Sequence, residues 1–184
     1  MILLNSCIKR LASNMIAFKE NFLILIGILF LTRSRNSMSK FNKPYICEFN
    51  QCGDERGYLV VAESYKEVPF QINRVFYIFG TEANASRGNH ANRISEFMLI
   101  VVSGSCKVDV EYDSYKETFN LNHQNQGLYL PPMVWKTMYD FSPDCVLLVL
   151  CSTPYIADEY IRDYSEYENE IKNKTDMSPC VGDV

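Results

Sequence analysis

The sequence predicts an all-β domain, a jelly roll (double-stranded β-helix), followed by a C-terminal helix. Aromatic residues make up 13% of the chain, and their rings pack well on pleated sheets. From Tyr58 onward, short apolar or alternating runs are separated by turn residues, which is typical of strands. No helical segment separates these runs, so the strands that they predict must pair antiparallel.

Eight strands are predicted in this region, a number that closes into a jelly roll. The sequence "SGS" at residues 103–105 predicts a tight hairpin, because Gly104 accepts a positive φ. In "KVDVEY", valines alternate with carboxylates, which predicts one buried and one wet face, whereas "LLVLC" predicts a central strand covered on both faces. The predicted strands are residues 58–63, 72–79, 96–102, 106–112, 117–122, 127–131, 136–141 and 145–152.

After Pro154 the pattern changes from strand-like to helical. The segment 156–172 predicts an amphipathic helix that packs on the barrel, because carboxylates lie between apolar residues at helical spacing. Residues 173–184 are predicted to be a flexible tail. The apolar residues of the helical pattern are Ile156, Tyr160 or Ile161, Tyr164 and Tyr167.

Residues 1–37 are predicted to be an N-terminal extension of a domain that spans residues 38–172. Their apolar run "NFLILIGILFL" has about half the residues that a membrane-spanning helix requires. Basic residues precede the run as in a signal peptide, but no small-residue cleavage site follows it. We interpret residues 1–37 as an over-extended start upstream of Met38 or a dispensable extension. A membrane-associating segment and a packed helix are the alternatives.

The charge of the chain is distributed unevenly. Five basic residues and Glu20 give residues 1–37 a net charge of +4. Because the whole chain has a net charge of −4, residues 38–184 have a net charge of −8. An acidic domain without a basic stripe is not expected to bind nucleic acid, because phosphate contacts require clustered Lys and Arg.

The seven cysteines are odd in number and include no C-x-x-C pair. Neither a zinc knuckle nor a disulfide framework is therefore indicated. Reduced cysteines within apolar runs act as small hydrophobic residues, and the expected location of the protein is the cytoplasm, with no membrane required.

The motif "RGNHANR" at residues 87–93 holds one of the two histidines of the chain. Metal-binding jelly rolls of the cupin class hold an ion with three histidines and a carboxylate, of which the first two form His-x-His. Here His90 is followed by Asn92, with Glu96 beyond, and Trp135 stands where a later ligand histidine could sit. One imidazole and one carboxylate are too few ligands for tight Zn²⁺, Fe²⁺ or Mn²⁺ binding, so we expect a metal-free barrel.

A histidine inside such a barrel can still move protons. His90 is therefore a candidate general base, because its ordinary pKa lies near neutrality. A lone histidine is more often structural, but Arg87 and Arg93 flank this one and indicate an anionic ligand. His123 lies in the polar "NLNHQNQ" loop and is predicted to be solvated.

Three weaker candidates lie outside the motif. Arg74 and Tyr77 are three residues apart in "NRVFYIF", so a regular strand points them to opposite faces and at most one faces the interior. Trp135 follows two prolines and could line a pocket, although a lone Trp more often belongs to the core.

Four stretches together resemble the sugar 3,4-ketoisomerases of the cupin superfamily. They are "DERGYLVV", "INRVFYIFG", "RGNHANR" with "VVSGSCKV", and "GLYLPPMVWKTMYDFSPDCVLLVLCSTPYIADEYIRDYSEY". The resemblance covers nearly all of residues 45–167. It implies a homodimer of cupin jelly rolls that binds a dTDP-linked deoxysugar without metal or cofactor. It also implies that the keto group of a dTDP-4-dehydro-6-deoxyhexose moves from C4 to C3, in deoxyamino-sugar biosynthesis for O-antigen or S-layer type polysaccharides.

The family motif is Arg-Gly-x-His-Ala-His-Lys, whose histidines are held to move protons on one face of the sugar. This sequence matches at Arg87, Gly88, His90 and Ala91 and departs at Asn92 and Arg93. Phe97 also stands where the family usually has Gln. With this resemblance, the residues expected to be catalytic are His90, Tyr77 and Asn92, and those expected to bind substrate are Arg74, Arg87, Arg93, Glu96 and Trp135.

Asn92 raises the main question about activity. A single base can move a proton from C3 to C4, so His90 keeps that route open. The hydroxyl protons must also be exchanged between O3 and O4, where Asn92 can form hydrogen bonds but cannot titrate. A tyrosine or water then takes over, or the substrate and outcome differ. A nucleotide-sugar epimerase and a non-catalytic nucleotide-sugar-binding cupin are the alternatives.

Overall fold

Two five-stranded antiparallel sheets form the domain in the computed structural model, which describes residues 43–82 and 84–176. In spatial order, the first sheet contains β1 (Tyr45–Glu48), β9 (Gln126–Leu130), β6 (Phe97–Ser103), β11 (Val146–Cys151) and β4 (Arg74–Phe79). The second contains β12 (Tyr160–Ile161), β5 (Arg87–Asn92), β10 (Trp135–Tyr139), β7 (Cys106–Tyr112) and β8 (Tyr115–Leu121). A separate hairpin pairs β2 (Gln51–Asp54) with β3 (Gly57–Val60).

The core lies between the two sheets and follows from the alternation of side chains along each strand. Every second residue of the central strands is apolar and faces the other sheet. Eight of these side chains are at most 3% exposed, and each such burial contributes about 1.5–3 kcal/mol. They are Leu99, Val101, Val108, Val110, Leu128, Leu130, Leu147 and Val149.

The structure confirms the all-β class, the antiparallel pairing and several local predictions. A tight turn with Gly104 at a φ of 67° joins β6 to β7, as predicted. The two strands lie in different sheets and do not pair, so the predicted hairpin is wrong; β7 instead forms a hairpin with β8. β11 lies between β6 and β4, as predicted for a central strand. β1, β2, β5 and β12 were not predicted, because they are short or polar and show no clear alternation.

The C-terminal helix α1 (Tyr164–Asp176) begins later than predicted. Residues 157–161 form a 3-10 turn and β12, which pairs with β5, so their backbone is used by the sheet. Asp163 then caps the helix, since its Oδ1 accepts a hydrogen bond of 3.0 Å from the Glu166 amide. The helix packs on the outer face of the second sheet, where Tyr167 contacts Ala91 and Ile161 in a buried cluster.

The described residues belong to a unit that begins at Lys43. The predictions for residues 1–37 lie outside the described residues, and so do those for the chain beyond residue 176. Within residues 43–82 and 84–176, no helix is long and apolar enough to cross a membrane.

Gly88 allows β5 and β10 to approach each other closely. The register between these strands shifts between Lys136 and Thr137, where Lys136 lies opposite His90 and Thr137 opposite Gly88. Gly88 has a φ of +90°, and a Cβ at this position would lie 2.6 Å from the Lys136 carbonyl oxygen. A side chain here would therefore be disfavoured by its backbone conformation and by a clash with the neighbouring strand.

We expect Gly88→Ala to lower the free energy of unfolding by about 2–4 kcal/mol, because a positive φ and a backbone clash both oppose alanine. Gly80→Ala is the matched control. Gly80 also has a positive φ, +62°, but no atom lies within 4 Å of its Cβ position, so about 1 kcal/mol is expected. Urea unfolding of the three proteins measures both values. Equal losses in the two variants would contradict the close approach of β5 and β10.

Candidate active site

His90 lies on β5 and faces the space between the two sheets. Its ring packs against Tyr160 of the neighbouring strand β12, with ring centroids 5.0 Å apart. Nδ1 lies 2.9 Å from the Gly88 carbonyl oxygen. Because a carbonyl can only accept a hydrogen bond, Nδ1 carries the proton when the ring is neutral, and Nε2 keeps its lone pair.

The surroundings of His90 keep this imidazole neutral. Burial, followed by the nearby positive charge of Lys136, lowers the pKa of His90 to about 4. At neutral pH the ring is therefore an acceptor of protons rather than a donor. A neutral imidazole with its proton on Nδ1 has the protonation state that a general base requires.

Lys136 and Asn92 form a buried polar pair beside His90. Lys136 is 5% exposed and Asn92 is 1% exposed, and the Lys136 ammonium donates a hydrogen bond of 2.7 Å to Asn92 Oδ1. The Lys136 Nζ also lies 4.7 Å from the centroid of the Phe97 ring. Burial lowers the pKa of Lys136 to about 7, although the negative charge of Glu159 opposes this shift.

Backbone contacts to two neighbouring segments fix the position of Asn92. Its carbonyl oxygen accepts a hydrogen bond of 2.7 Å from the Met133 amide, and it lies opposite Tyr160 in the pairing of β5 with β12. Its Nδ2 is buried and has no hydrogen-bond partner within the described part of the chain. This amide donor is therefore available to a ligand.

Arg74 on β4 also faces the interior. Its Nη2 donates to Cys151 Sγ at 3.1 Å, and its guanidinium carbon lies 5.4 Å from the Phe76 ring centroid and 5.6 Å from that of Tyr155. Its buried Nε has no hydrogen-bond partner among residues 43–82 and 84–176. A planar cation with a free N–H donor suits an anionic ligand.

The other predicted site residues have different surroundings. Tyr77 is on the outer face of β4 and 63% exposed, so only Arg74 of this pair faces inward, as the strand alternation predicted. Arg87 is exposed at the start of β5. Glu96 accepts a hydrogen bond of 2.8 Å from the Tyr129 hydroxyl, and burial raises the pKa of Glu96.

Two substrate-binding predictions fall on residues that hold the C-terminal helix. The Arg93 guanidinium donates to carboxylate oxygens of Glu166 and Glu170, each at 2.6 Å, so α1 already supplies its anionic partners. Trp135 lies on the outer face of the second sheet against Tyr164 and Tyr167, with ring centroids 5.1 and 5.5 Å away. Side chains alternate along β10, so Trp135 points away from the face that carries Lys136.

The structure also brings residues to His90 that the sequence analysis did not select. These are Lys136, Tyr160 and Arg162, whose guanidinium carbon lies 4.9 Å from the Tyr160 ring centroid. One signal in the sequence pointed to Lys136. It occupies an inward position of a strand whose neighbours on the same face, Val134 and Met138, are apolar and buried. No such signal marks Tyr160 and Arg162, because their positions depend on the path of the chain after Pro154.

The arrangement combines a neutral imidazole, a buried amine, a buried amide and an inward arginine. Such a set can accept a proton at one atom and deliver one at another, beside a cation that holds an anion. Among the described residues, no three His, Cys, Asp or Glu side chains form a group that could hold a metal ion. The arrangement favours acid–base chemistry on an anionic ligand.

Comparison with known proteins gives the same fold and a family. A family model described as "FdtA: WxcM-like, C-terminal" matches residues 42–172. The TDP-4-oxo-6-deoxy-alpha-D-glucose-3,4-oxoisomerase of Aneurinibacillus thermoaerophilus is 40% identical over 126 residues, which cover 68% of this chain and 91% of that protein.

Two solved structures support the same assignment. The WlaRB TDP-quinovose 3,4-ketoisomerase of Campylobacter jejuni has a TM-score of 0.67 and 41% identity, with 68% of this chain and 97% of that chain covered. A mutant of the 3,4-ketoisomerase QdtA of Thermoanaerobacterium thermosaccharolyticum, in complex with TDP-4-keto-6-deoxyglucose, has a TM-score of 0.70 and 34% identity, with 73% and 96% covered. The chain therefore belongs to the FdtA-type family of cupin sugar 3,4-ketoisomerases.

Proposed function

We propose that this protein is an isomerase that moves the keto group of a dTDP-4-dehydro-6-deoxyhexose from C4 to C3. The observation that carries the proposal is the neutral His90, with its proton on Nδ1 and its lone pair on Nε2. The names of the three similar proteins reported above, which are 3,4-ketoisomerases or an oxoisomerase of TDP-linked sugars, support this substrate class. We place the reaction in the cytoplasm, in the biosynthesis of deoxyamino sugars for O-antigen or S-layer type polysaccharides.

The reaction needs one base that serves two carbons. The C4 carbonyl makes the C3 proton acidic, so His90 Nε2 can remove it and leave an enediol between C3 and C4. The same imidazolium then returns the proton to C4. Both transfers occur on one face of the sugar, which agrees with a single inward histidine in the described domain.

Arg74 and Asn92 are proposed to hold the substrate. Arg74 Nε and Asn92 Nδ2 are buried donors that have no hydrogen-bond partner in the described part of the chain, and each is costly to leave without an acceptor. The diphosphate and the sugar oxygens of a dTDP-sugar supply such acceptors. Arg74 also stacks near Tyr155, an exposed ring that could lie against the thymine base.

We expect His90→Gln to lower the rate of conversion of dTDP-4-dehydro-6-deoxyglucose by about 10²–10⁴-fold, because glutamine keeps a polar side chain but cannot accept the proton. The 3-keto product is followed by ¹H NMR in D₂O, with deuterium incorporation at C3 and C4. Binding of dTDP, measured by calorimetry, is expected to stay within about threefold of the wild-type value.

His123→Gln is the matched control, because His123 lies in an exposed loop and is expected to leave the rate unchanged. Deuterium exchange at C5 instead of conversion would identify an epimerase. Tight binding of the substrate by wild-type protein without exchange would identify a binding module. Either result would contradict the isomerase proposal.

A second prediction concerns metals. We expect prolonged dialysis against EDTA to leave the rate of conversion within about twofold, because the proposed chemistry uses only side chains of the protein. Elemental analysis of the dialysed protein verifies that zinc, iron and manganese have been removed. A loss of activity that Zn²⁺, Fe²⁺ or Mn²⁺ restores would contradict the prediction of a metal-free barrel.

We also propose that the protein is a homodimer that associates through β4. The outer face of this edge strand carries Val75, Tyr77 and Phe79, which are 55%, 63% and 66% exposed. Three apolar side chains in a row on a sheet edge form a surface that another chain could cover. Tyr77 and Phe79 pack together, with ring centroids 5.7 Å apart, so they form one continuous patch.

The association is tested with Tyr77→Asp, which puts a charge in the middle of this patch. We expect the variant to elute as a monomer in size-exclusion chromatography with light scattering, at concentrations where the wild-type protein is dimeric. Tyr115→Asp is the matched control, because Tyr115 is 67% exposed on the edge strand β8 of the other sheet. Loss of the dimer in Tyr115→Asp but not in Tyr77→Asp would place the interface on the other sheet.

A further inference from the structure

The isomerisation needs a second proton carrier besides His90, and this inference rests on the proposed function. When His90 removes the C3 proton, O4 must gain a proton, and O3 must lose one when C4 is protonated. Asn92 stands where the family motif has a second histidine, and an amide cannot exchange protons at neutral pH. Another titratable group near His90 must therefore supply this step.

Lys136 has the position that this step requires. It lies opposite His90 in the pairing of β10 with β5, and its Nζ is 2.7 Å from Asn92 Oδ1. The amine thus lies next to the side chain that replaces the second histidine, on the inner face of the sheet. The remaining contacts of its side chain include the ring of Phe97, which cannot take up a proton.

Burying the Lys136 ammonium costs folding free energy, which points to a functional role for this residue. No ion pair joins it to a carboxylate of the described residues. Its ammonium contacts an amide oxygen and an aromatic ring, and the negative charge of Glu159 acts on it without direct contact. A fully buried ammonium without a carboxylate partner destabilises the fold relative to an apolar side chain of similar size. This is the environment in which a lysine exchanges its proton near neutral pH.

The charged and titratable groups around Lys136 come from every neighbouring element. His90 faces it from β5, and Cys151 from β11. Glu159 contributes negative charge from the 3-10 turn, but its carboxylate is occupied by the Ser95 amide at 2.9 Å and by the Ser95 hydroxyl. Arg162 adds positive charge on the side of His90. None of these groups forms a direct bond to the amine that would fix its protonation state.

We propose that Lys136 is the second acid–base catalyst and takes the place of the missing histidine. In the first step His90 Nε2 takes the proton from C3, the C3 electron pair forms the C3–C4 double bond, and the Lys136 ammonium gives a proton to O4. In the second step neutral Lys136 takes the proton from O3 as the C3 carbonyl forms, and the His90 imidazolium gives its proton to C4. Both groups end in their starting state, so no other reactant is needed.

In this scheme Asn92 is a positioning residue. Its Oδ1 holds the amine of Lys136, and its Nδ2 remains free for a sugar oxygen. A histidine at position 92 would carry out the proton exchange itself, and a lysine at position 136 would then be unnecessary. The two positions therefore compensate for each other.

The first test is Lys136→Arg, which keeps the positive charge and the hydrogen-bond donor but cannot release a proton at neutral pH. We expect kcat for dTDP-4-dehydro-6-deoxyglucose to fall by about 10²–10⁴-fold, with the affinity for dTDP within about threefold of wild type. Lys107→Arg is the matched control, because Lys107 is a partly exposed lysine on the adjacent strand β7, paired with Asp140. It is expected to leave kcat unchanged.

The second test restores activity in that variant. We expect Asn92→His combined with Lys136→Arg to recover kcat at least about tenfold over Lys136→Arg alone, because the histidine supplies a titratable group at the same place. A structural role for Lys136 predicts no such recovery. Thermal unfolding of each variant verifies that the domain is folded.

The pH profile gives a readout that a structural role would not change. His90 must be neutral to accept a proton, so the rate is lost as the pH falls through its pKa of about 4. Lys136 must carry a proton to protonate O4, so the rate is lost as the pH rises through its pKa of about 7. We expect a bell-shaped profile of kcat/KM, which reports the ligand-free protein, for the wild type and no fall near pH 7 for Lys136→Arg.

The outcomes separate this inference from the proposed function. Wild-type protein that does not convert the substrate would contradict the proposed function, and the role of Lys136 with it. Wild-type turnover that Lys136→Arg retains within threefold, with an unchanged pH profile, would overturn the role of Lys136 alone. Failure of the double variant to exceed Lys136→Arg, while it is folded and binds dTDP, would also overturn that role.

Discussion

The pairing of β5 with β10 is the constraint on which the site depends. It sets His90 opposite Lys136, and it is possible only because Gly88 leaves room for the Lys136 carbonyl oxygen. The same pairing orients the imidazole, since the Gly88 carbonyl oxygen accepts a hydrogen bond from Nδ1–H and leaves Nε2 as the nitrogen that can accept a proton. The absence of a side chain at Gly88 therefore influences the register of β5 against β10, the tautomer of the His90 imidazole and the position of that ring relative to Lys136.

Most of the fold could be predicted from the sequence, because alternation along a strand is a local property. β7 was predicted with its observed bounds, and other long strands to within a few residues. β5 was not recognised as a strand, because its polar residues and the positive φ values of Gly88 and Asn89 break the alternation. The helix α1 was placed too early, because the backbone of Tyr160 pairs with a strand that lies far away in the sequence.

The site was harder to predict than the fold, because it depends on contacts across the chain. His90 faces inward as expected, whereas the sequence left open which of Arg74 and Tyr77 does so, and Tyr77, expected to be catalytic, is the exposed one. Arg93 was expected to bind a ligand, but its partners Glu166 and Glu170 come from a helix whose position no local pattern gives. Lys136 was overlooked because lysine is almost never fully buried, and only its apolar neighbours on the same strand face indicated otherwise.

The strand β4 connects two properties of the molecule that are usually treated as separate. Arg74 and Phe76 face the interior, whereas the residues between and after them, Val75 and Tyr77, face outward. Any shift of this strand moves both sets together, since they share one backbone. If β4 carries both the proposed dimer interface and the proposed substrate contact of Arg74, selection on assembly and selection on substrate binding would act on the same six residues, and a change that improves one would be constrained by the other.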